Sequence, residues 1–466
     1  MARQLTRREF CVAAGLAAGG AIVGRTGLLR AARLEQPTGW ASVPGILARI
    51  VAPTFPDRDF DITRFGATGD GATDSTAALR DAIAACARAG GGRVVVPRGQ
   101  FVTGAVRLES RVNLHLADEA VMRFSQAPRN FLPTVLTRFE GVELYNYSPF
   151  IYALDAHDIA ITGRGTLDGR ADADHWWPWK SETADRNRLF ELAEQGVPVA
   201  ERRFGDGHFL RPNFIQPYRC TYVLIEGVTI LNSPMWEIHP VLSTNVTVRG
   251  VTIVSHGPNN DGCDPESCRD VLIEGCTFDT GDDCIAIKSG RNADGRRVNV
   301  PVENVIVRDC VMKDGHGGVT IGSEITGGAR QIFAERCRMD SPRLDRVLRF
   351  KNNAMRGGVI EHVYMRDVTV GEVAESVVNA DFYYEEGDRG AFTPVLRDVE
   401  VRSVTSRKSK YAFYLRGFPR APLVDLRIAD CTFDGVAAPE VVEAVRDLTL
   451  ANVRINGQLR NERITR

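Results

Sequence analysis

Four short stretches of this 466-residue chain carry the side chains that could move protons or hold an anion. They are PNNDGCDPESC (258–268), TGDDCIAIK (280–288), DGHGG (314–318) and RFK (349–351). Asp282 and Asp283 are neighbours, Asp261 precedes Asp282 by 21 residues and His316 follows it by 34. Carboxylates held close together repel, which raises the pKa of at least one of them. An acid that keeps its proton beside a base that has lost its own is the pair that glycoside hydrolysis requires. Taken singly, NND and GDD are ordinary turn sequences. The chemistry therefore depends on elements that would bring the four stretches together.

Those elements are legible as a repeat. The pattern apolar, any, apolar, polar, Gly/Asp, Val/Cys, any, apolar recurs as VLIEGVTI (223–230), VTVRGVTI (246–253), VLIEGCTF (271–278) and VIVRDCVM (305–312), with weaker copies as far as LTLANVRI (448–455). Its fifth position falls at Gly163, Gly227, Gly250, Gly275, Asp309, Arg336, Asp367, Ser403, Asp430 and Asn452, and from Gly227 onward the steps are 22 to 36 residues. Alternating β-branched residues around a turn-prone centre mean two short strands joined by a bend. Such a unit cannot bury its own face, but stacked neighbours can, which predicts an all-β, right-handed parallel β-helix. A β-propeller would need four antiparallel strands and hairpin turns in each blade. Cys276, Cys310, Cys337 and Cys431 each follow the fifth position, as small buried side chains of a coil interior would. No CxxC or histidine partner makes them metal ligands, and few or no disulfides are expected. Residues 73–89 read as a helix capping the open end, with Thr73 or Asp74 as N-cap. The single coil spans 57–456, followed by a tail at 457–466. Residues 170–215, which include HWWPWK (175–180), interrupt the repeat and read as a loop over one face.

Counting from the fifth position sets the register. Asp282 and His316 each stand seven residues beyond it, one coil apart on the same edge, and Asp261 lies about one coil earlier. Arg349 and Lys351 lie 13 and 15 beyond Arg336, the offsets of Lys288 and Glu324 on the two preceding rungs. An acidic centre of Asp261, Asp282, Asp283 and His316 is thus flanked by a cationic strip. His239, 12 residues beyond Gly227, is expected to line the same cleft.

Composition excludes several classes. Apolar residues are 44% and charged residues 25%, and 58 Lys+Arg against 59 Asp+Glu leave a net charge of −1. That balance supplies no positive field for nucleic acid, and no run of eighteen apolar residues exists to span a bilayer. Arg7 and Arg8, followed by a weak Ala/Gly apolar stretch from Cys11 to Val23, read as a twin-arginine export signal over 1–35. Residues 36–56 then form a linker, and the protein is periplasmic or secreted.

From about Asp61 to Asn456 the chain resembles the polygalacturonase-type glycoside hydrolases of family twenty-eight. The family signatures N-T-D, G/Q-D-D, G-H-G and R-I-K match in order Asn259–Asn260–Asp261, Gly281–Asp282–Asp283, Gly315–His316–Gly317 and Arg349–Phe350–Lys351, with Asn260 for Thr and Phe350 for Ile. The family opening matches FGATGDGATDSTAAL (65–79). The resemblance implies that Asp282 is the general acid, that Asp261 and Asp283 activate the attacking water with inversion, and that His316 tunes the acid. Inversion would set acid and base ~6.5–9.5 Å apart. Arg349 and Lys351 would hold a uronate carboxylate, with no metal or other cofactor. The insertion and WEIHP (236–240) resemble the exo-acting bacterial branch, in which added loops close one end of the groove. Trp176 and Tyr383 or Tyr384, of which Tyr383 is preferred, are candidate sugar contacts. A rhamnogalacturonan or rhamnosyl hydrolase uses similar machinery. A pectate lyase would add calcium dependence and an unsaturated product, and a saccharide-binding module would tolerate loss of Asp282.

Overall fold

Apolar residues at alternate positions of the repeat form two ladders that run the length of the molecule. In the first, Val223, Val246, Val271, Val305, Ile332, Val363, Val399 and Leu426 stack in parallel register. Two residues on, Ile225, Val248, Ile273, Val307, Ala334, Met365, Val401 and Ile428 form the second. Side chains of both ladders point inward and are buried, each Val, Ile or Leu contributing about 1.5–3 kcal/mol. These rungs belong to a computed structural model that describes residues 39–465. The export signal expected over 1–35 lies outside the described residues.

Each coil turns sharply after the long strand, at the fifth repeat position. All ten of these residues have positive φ, from 51° at Arg336 to 109° at Gly163. Glycine meets that left-handed requirement without a Cβ clash, and Asp and Asn tolerate it better than other side chains. The repeat therefore marks a backbone conformation as well as a pattern of burial. A short strand follows, such as Thr229–Leu231, Thr252–Ser255 or Thr277–Thr280. A third sheet completes the coil: Ile151–Leu154 and Ile215–Tyr218, then Ile285–Ile287, Val319–Ile321, Arg346–Lys351, Ser376–Asp381 and Tyr411–Arg416, bridged through Ile238 and Cys263. This is a parallel β-helix, and the third sheet forms the floor of its cleft.

The capping helix covers Thr76–Arg88 and buries Ala78, Leu79, Ala82, Ile83 and Cys86. The N-cap is Ser75 and neither Thr73 nor Asp74, although the Asp74 carboxylate accepts from the Thr76 amide at 2.8 Å. The nine described cysteines are all buried and free.

Both ends depart from the expected boundaries. Residues 39–50 are not a free linker: Val43 and Ile46 dock on Leu272, Ile306, Phe333 and Tyr364 of the long sheet. The Asn245 side chain fixes the strap at both sides, donating to Arg49 O at 2.6 Å and accepting from Val51 N at 2.8 Å. Nor is the C-terminus a tail, since Gln458–Ile464 pairs antiparallel with Val445–Ile455. A strand running the other way ends the parallel stack and covers its edge.

Candidate active site

The acidic residues sit in the turns that lead from the short sheet to the cleft sheet. Backbone bonds carry one rung to the next: Asp282 N to Asn260 O at 3.1 Å, Gly262 N to Asp283 O at 3.0 Å and His316 N to Asp282 O at 3.1 Å. Asn260, which replaces the family threonine, locks its turn. It accepts from Ser255 Oγ and the Gly257 amide, both at 2.7 Å, and donates to Ser233 O and Met235 O. The glycines leave room for the acids: a Cβ on Gly317 would stand 2.2 Å from Thr320 Oγ1 and 2.8 Å from Asp283 Oδ1.

The three aspartates meet, yet their environments differ. One oxygen from each lies within 4.8 Å of the others. Asp283 is fully buried and accepts from Lys351 Nζ at 2.6 Å, Arg349 Nη1 at 3.1 Å and Thr320 Oγ1 at 2.9 Å. Burial alone would raise its pKa, but the two cations outweigh that and hold it well below the usual range. Asp261 is buried with Oδ1 unpartnered, and its nearest cation, Lys288 Nζ, stands 3.6 Å from Oδ2. Burial, reinforced by the charge of Asp282, pushes its pKa well up. Asp282 accepts from His316 Nδ1 at 3.0 Å. Burial pushes it up, but the His316 bond and Lys351 more than offset this and hold it below the ordinary value. In return the bond to Asp282 raises the pKa of His316. Burial thus favours the protonated form of Asp261, while the His316 bond and Lys351 favour the ionised form of Asp282. Three carboxylates this close could face a cation, but Lys351, Arg349 and Lys288 already stand where its charge would act.

A pocket of about 370 Å³ opens over this cluster. Lys288 lines it as expected, held 3.2 Å from Glu324 Oε2 and 4.3 Å above the Trp236 ring. Lys180 and Arg186, from the insertion, and Glu140, from the Val135–Phe139/Val142–Asn146 hairpin, form one wall. Arg186 Nε donates to Glu140 Oε2 at 2.8 Å. The insertion itself contains a helix, Thr183–Glu194. On the rungs before this wall the outward positions of the cleft sheet, Gln216, Tyr218, His239, Val241 and Glu266, are all buried. On the rungs after it Lys410 and Tyr414 remain accessible. The cleft is roofed on its N-terminal rungs and open on its C-terminal ones.

Three expected contacts are corrected. His239 has the predicted register but does not line the cleft. The hairpin covers it, and its ring lies between Glu266 Oε2 at 2.8 Å and the side-chain amides of Gln216 and Asn213. Trp176 is no sugar platform, because its ring is buried edge-on against Phe131, Phe150 and Trp179. Tyr383 turns outward onto Phe418 and beneath Arg416. Its neighbour Tyr384 lines the pocket, with Lys351 Nζ 5.4 Å and the Arg349 guanidinium 5.7 Å from its ring. The sequence reading missed Glu140, Lys180 and Arg186, which lie outside the repeat. It also missed Arg211, whose buried guanidinium donates to Pro234 O, Pro258 O and Asn259 Oδ1 and so fixes the turn bearing Asp261. Burial pushes its pKa down to about 10.

A parallel β-helix that brings an acid cluster and paired cations into one cleft defines a carbohydrate-cleaving coil. The pattern of glycosyl hydrolases family 28 matches residues 204–449, and the chain belongs to that family. Residues 60–115 match a rhamnogalacturonase A/epimerase, pectate lyase-like pattern. An exopolygalacturonase structure from Thermotoga maritima is 45% identical, with a TM-score of 0.88, over 91% of this chain and 97% of that one. A probable polygalacturonase of Vitis vinifera is 29% identical over 79% of this chain and 72% of its own length. The exo-poly-alpha-D-galacturonosidase of Dickeya chrysanthemi is 26% identical over 75% of this chain and 62% of its own.

Proposed function

We propose that this chain is an exported hydrolase that releases galacturonate from the non-reducing ends of α-1,4-linked pectic chains. The observation that carries this reading is the wall of Glu140, Lys180 and Arg186, which closes the cleft directly beside the acid cluster. A chain end can enter there and a continuous chain cannot pass. The names of the Thermotoga and Dickeya relatives support the exo mode. Export is supported by Arg7, Arg8 and the apolar stretch after them. No helix among the described residues is long and apolar enough to cross a membrane.

Arg349 and Lys351 bind a uronate carboxylate, the Arg by its planar fork and the Lys as a point charge. That anion offsets the Lys351 field that holds Asp282 low, so binding itself draws a proton toward the acid that must give it up. Asp282, having taken up that proton, gives it to the departing oxygen, while Asp261 and Asp283, as carboxylates, position the attacking water and accept the proton it loses. The reading is inversion at the anomeric carbon. Asp283 has its oxygens engaged by Arg349 and Lys351, so it is not free to attack the sugar directly.

Chromatography of products from polygalacturonate is expected to give monogalacturonate early, with viscosity nearly unchanged, and NMR to show the β-anomer first. Mixed oligomers with a rapid fall in viscosity would make the cleft open, and an α-anomer first would assign retention. His316→Ala removes the bond that stabilises ionised Asp282, so the Asp282 pKa should rise. The upper limb of the kcat/KM profile is then expected to move to higher pH while the maximum falls about 10- to 100-fold. A limb that moves to lower pH would mean that it reports some other group.

A further inference from the structure

Beyond Arg349 the cleft continues into a second pocket of about 310 Å³ on the C-terminal rungs. It shares Arg349, Lys351 and Tyr384 with the catalytic pocket, so the two are continuous. The strands that build it are in register: Arg346 pairs with Ser376, which pairs with Tyr411, and Arg349 pairs with Asn379, which pairs with Tyr414. Neighbouring strands stand ~4.8 Å apart, which carries these side chains away from the acid cluster in equal steps.

The chemistry of this pocket is distinct. Arg346 is mostly buried, and among the described residues its only hydrogen-bonded partner is Asp345 Oδ2, 3.2 Å from Nη1. The rest of its guanidinium fork has no protein acceptor. Burial and the like charge of Arg349 disfavour its charged form, a cost that an anion in the pocket would offset. Further along the same pocket stand Lys410, 3.4 Å from Glu375 Oε2, and the rings of Tyr411 and Tyr414, whose centroids are 5.5 Å apart. A cationic fork and aromatic rings lining one pocket suit a charged sugar, with the carboxylate on the cation and the apolar ring face on the tyrosines.

We propose that this pocket holds the second uronate of the leaving group, with Arg346 as its carboxylate ligand and Tyr411 and Tyr414 as its platform. The inference rests on the exo-galacturonidase reading, in which digalacturonate fills the catalytic pocket and the Arg349–Lys351 position. Trigalacturonate alone then reaches Arg346.

The experiment compares kcat/KM on trigalacturonate with that on digalacturonate. In the wild type the ratio is expected to be about tenfold or more, and in Arg346→Ala to fall toward unity. Lys410→Ala, at a half-exposed side chain that places folding at little risk, should lower the ratio in the same direction by a smaller factor. A wild-type ratio near one, or a ratio unchanged by both substitutions, would overturn the proposal. Should Arg346→Ala fail to fold, the wild-type and Lys410→Ala ratios decide it. Failure of the wild type to cleave either oligomer would instead overturn the functional reading on which the inference rests.

Discussion

Asp282→Asn is expected to lower kcat on digalacturonate by about 10³-fold, the scale on which positioned general acids act, while the unfolding transition stays in place. The substitution keeps the shape of the side chain, and Asp282 is only partly buried, with its one strong partner, His316, itself half exposed. The loss is therefore chemical. Because burial raises the pKa of Asp261 while the His316 bond helps to hold that of Asp282 down, the roles of the two acids need separate tests. An aryl galacturonide whose leaving group departs without a proton bypasses the acid step. On that substrate the deficit of Asp282→Asn should shrink and that of Asp261→Asn should persist. The opposite pattern would transfer the acid role to Asp261, in line with its raised pKa in the empty cleft.

The acid cluster could be found by counting because the coil transmits register. From Gly275 to Asp309 the backbone ladder carries a seven-residue offset unchanged, so Asp282 and His316 arrive on adjacent rungs and bond at 3.0 Å. The same counting failed at His239 for a physical reason. Its rung position is as predicted, but a hairpin drawn from residues 135–146, about a hundred residues upstream, lies over it. Period says where a side chain stands on its coil and nothing about what covers it. Tyr383 and Tyr384 show a second limit. They are adjacent on an irregular segment, so no period indicates which faces the pocket, and the edge-on contact of Tyr383 with Phe418 rather than spacing settles it. Arg186 and Lys180 form the wall that closes the cleft from an insertion with no repeat to count against. The strap at 39–50 was hidden differently: its apolar residues look like those of any short helix until Leu272, Ile306 and Phe333 are seen to form an outward apolar stripe that needs a cover.

Lys351→Met tests whether the cation pair serves the substrate alone or the protein as well. Lys351 and Asp283 are buried together at 2.6 Å. Removing one partner of such a pair costs about 3–5 kcal/mol, because the other charge is left uncompensated. Arg349 remains 3.1 Å from Asp283, which places the expected loss near the lower bound, about 3 kcal/mol. The pH dependence follows from the two shifts. Asp283 is depressed in the folded protein, so its contribution is present above the ordinary carboxylate pKa of ~4 and is lost as pH falls through its folded value. Lys351 is raised, so its contribution is present below ~10.4 and is lost as pH rises through a folded value above that. Denaturation of wild type and variant should therefore differ most, and by a constant amount, between about pH 5 and 10, and the gap should narrow in stronger acid as the Asp283 carboxylate takes up a proton. On digalacturonate kcat/KM should fall about 10²-fold, the worth of a charge-assisted contact to a carboxylate. The double variant Asp283→Asn/Lys351→Met separates the two roles. It removes the Lys351–Asp283 charge pair together but leaves Arg349 without its carboxylate partner, so it should regain part of the lost stability and none of the lost activity. Recovery of both, or of neither, would mean that Lys351 does not act through Asp283 for folding and on the uronate for catalysis.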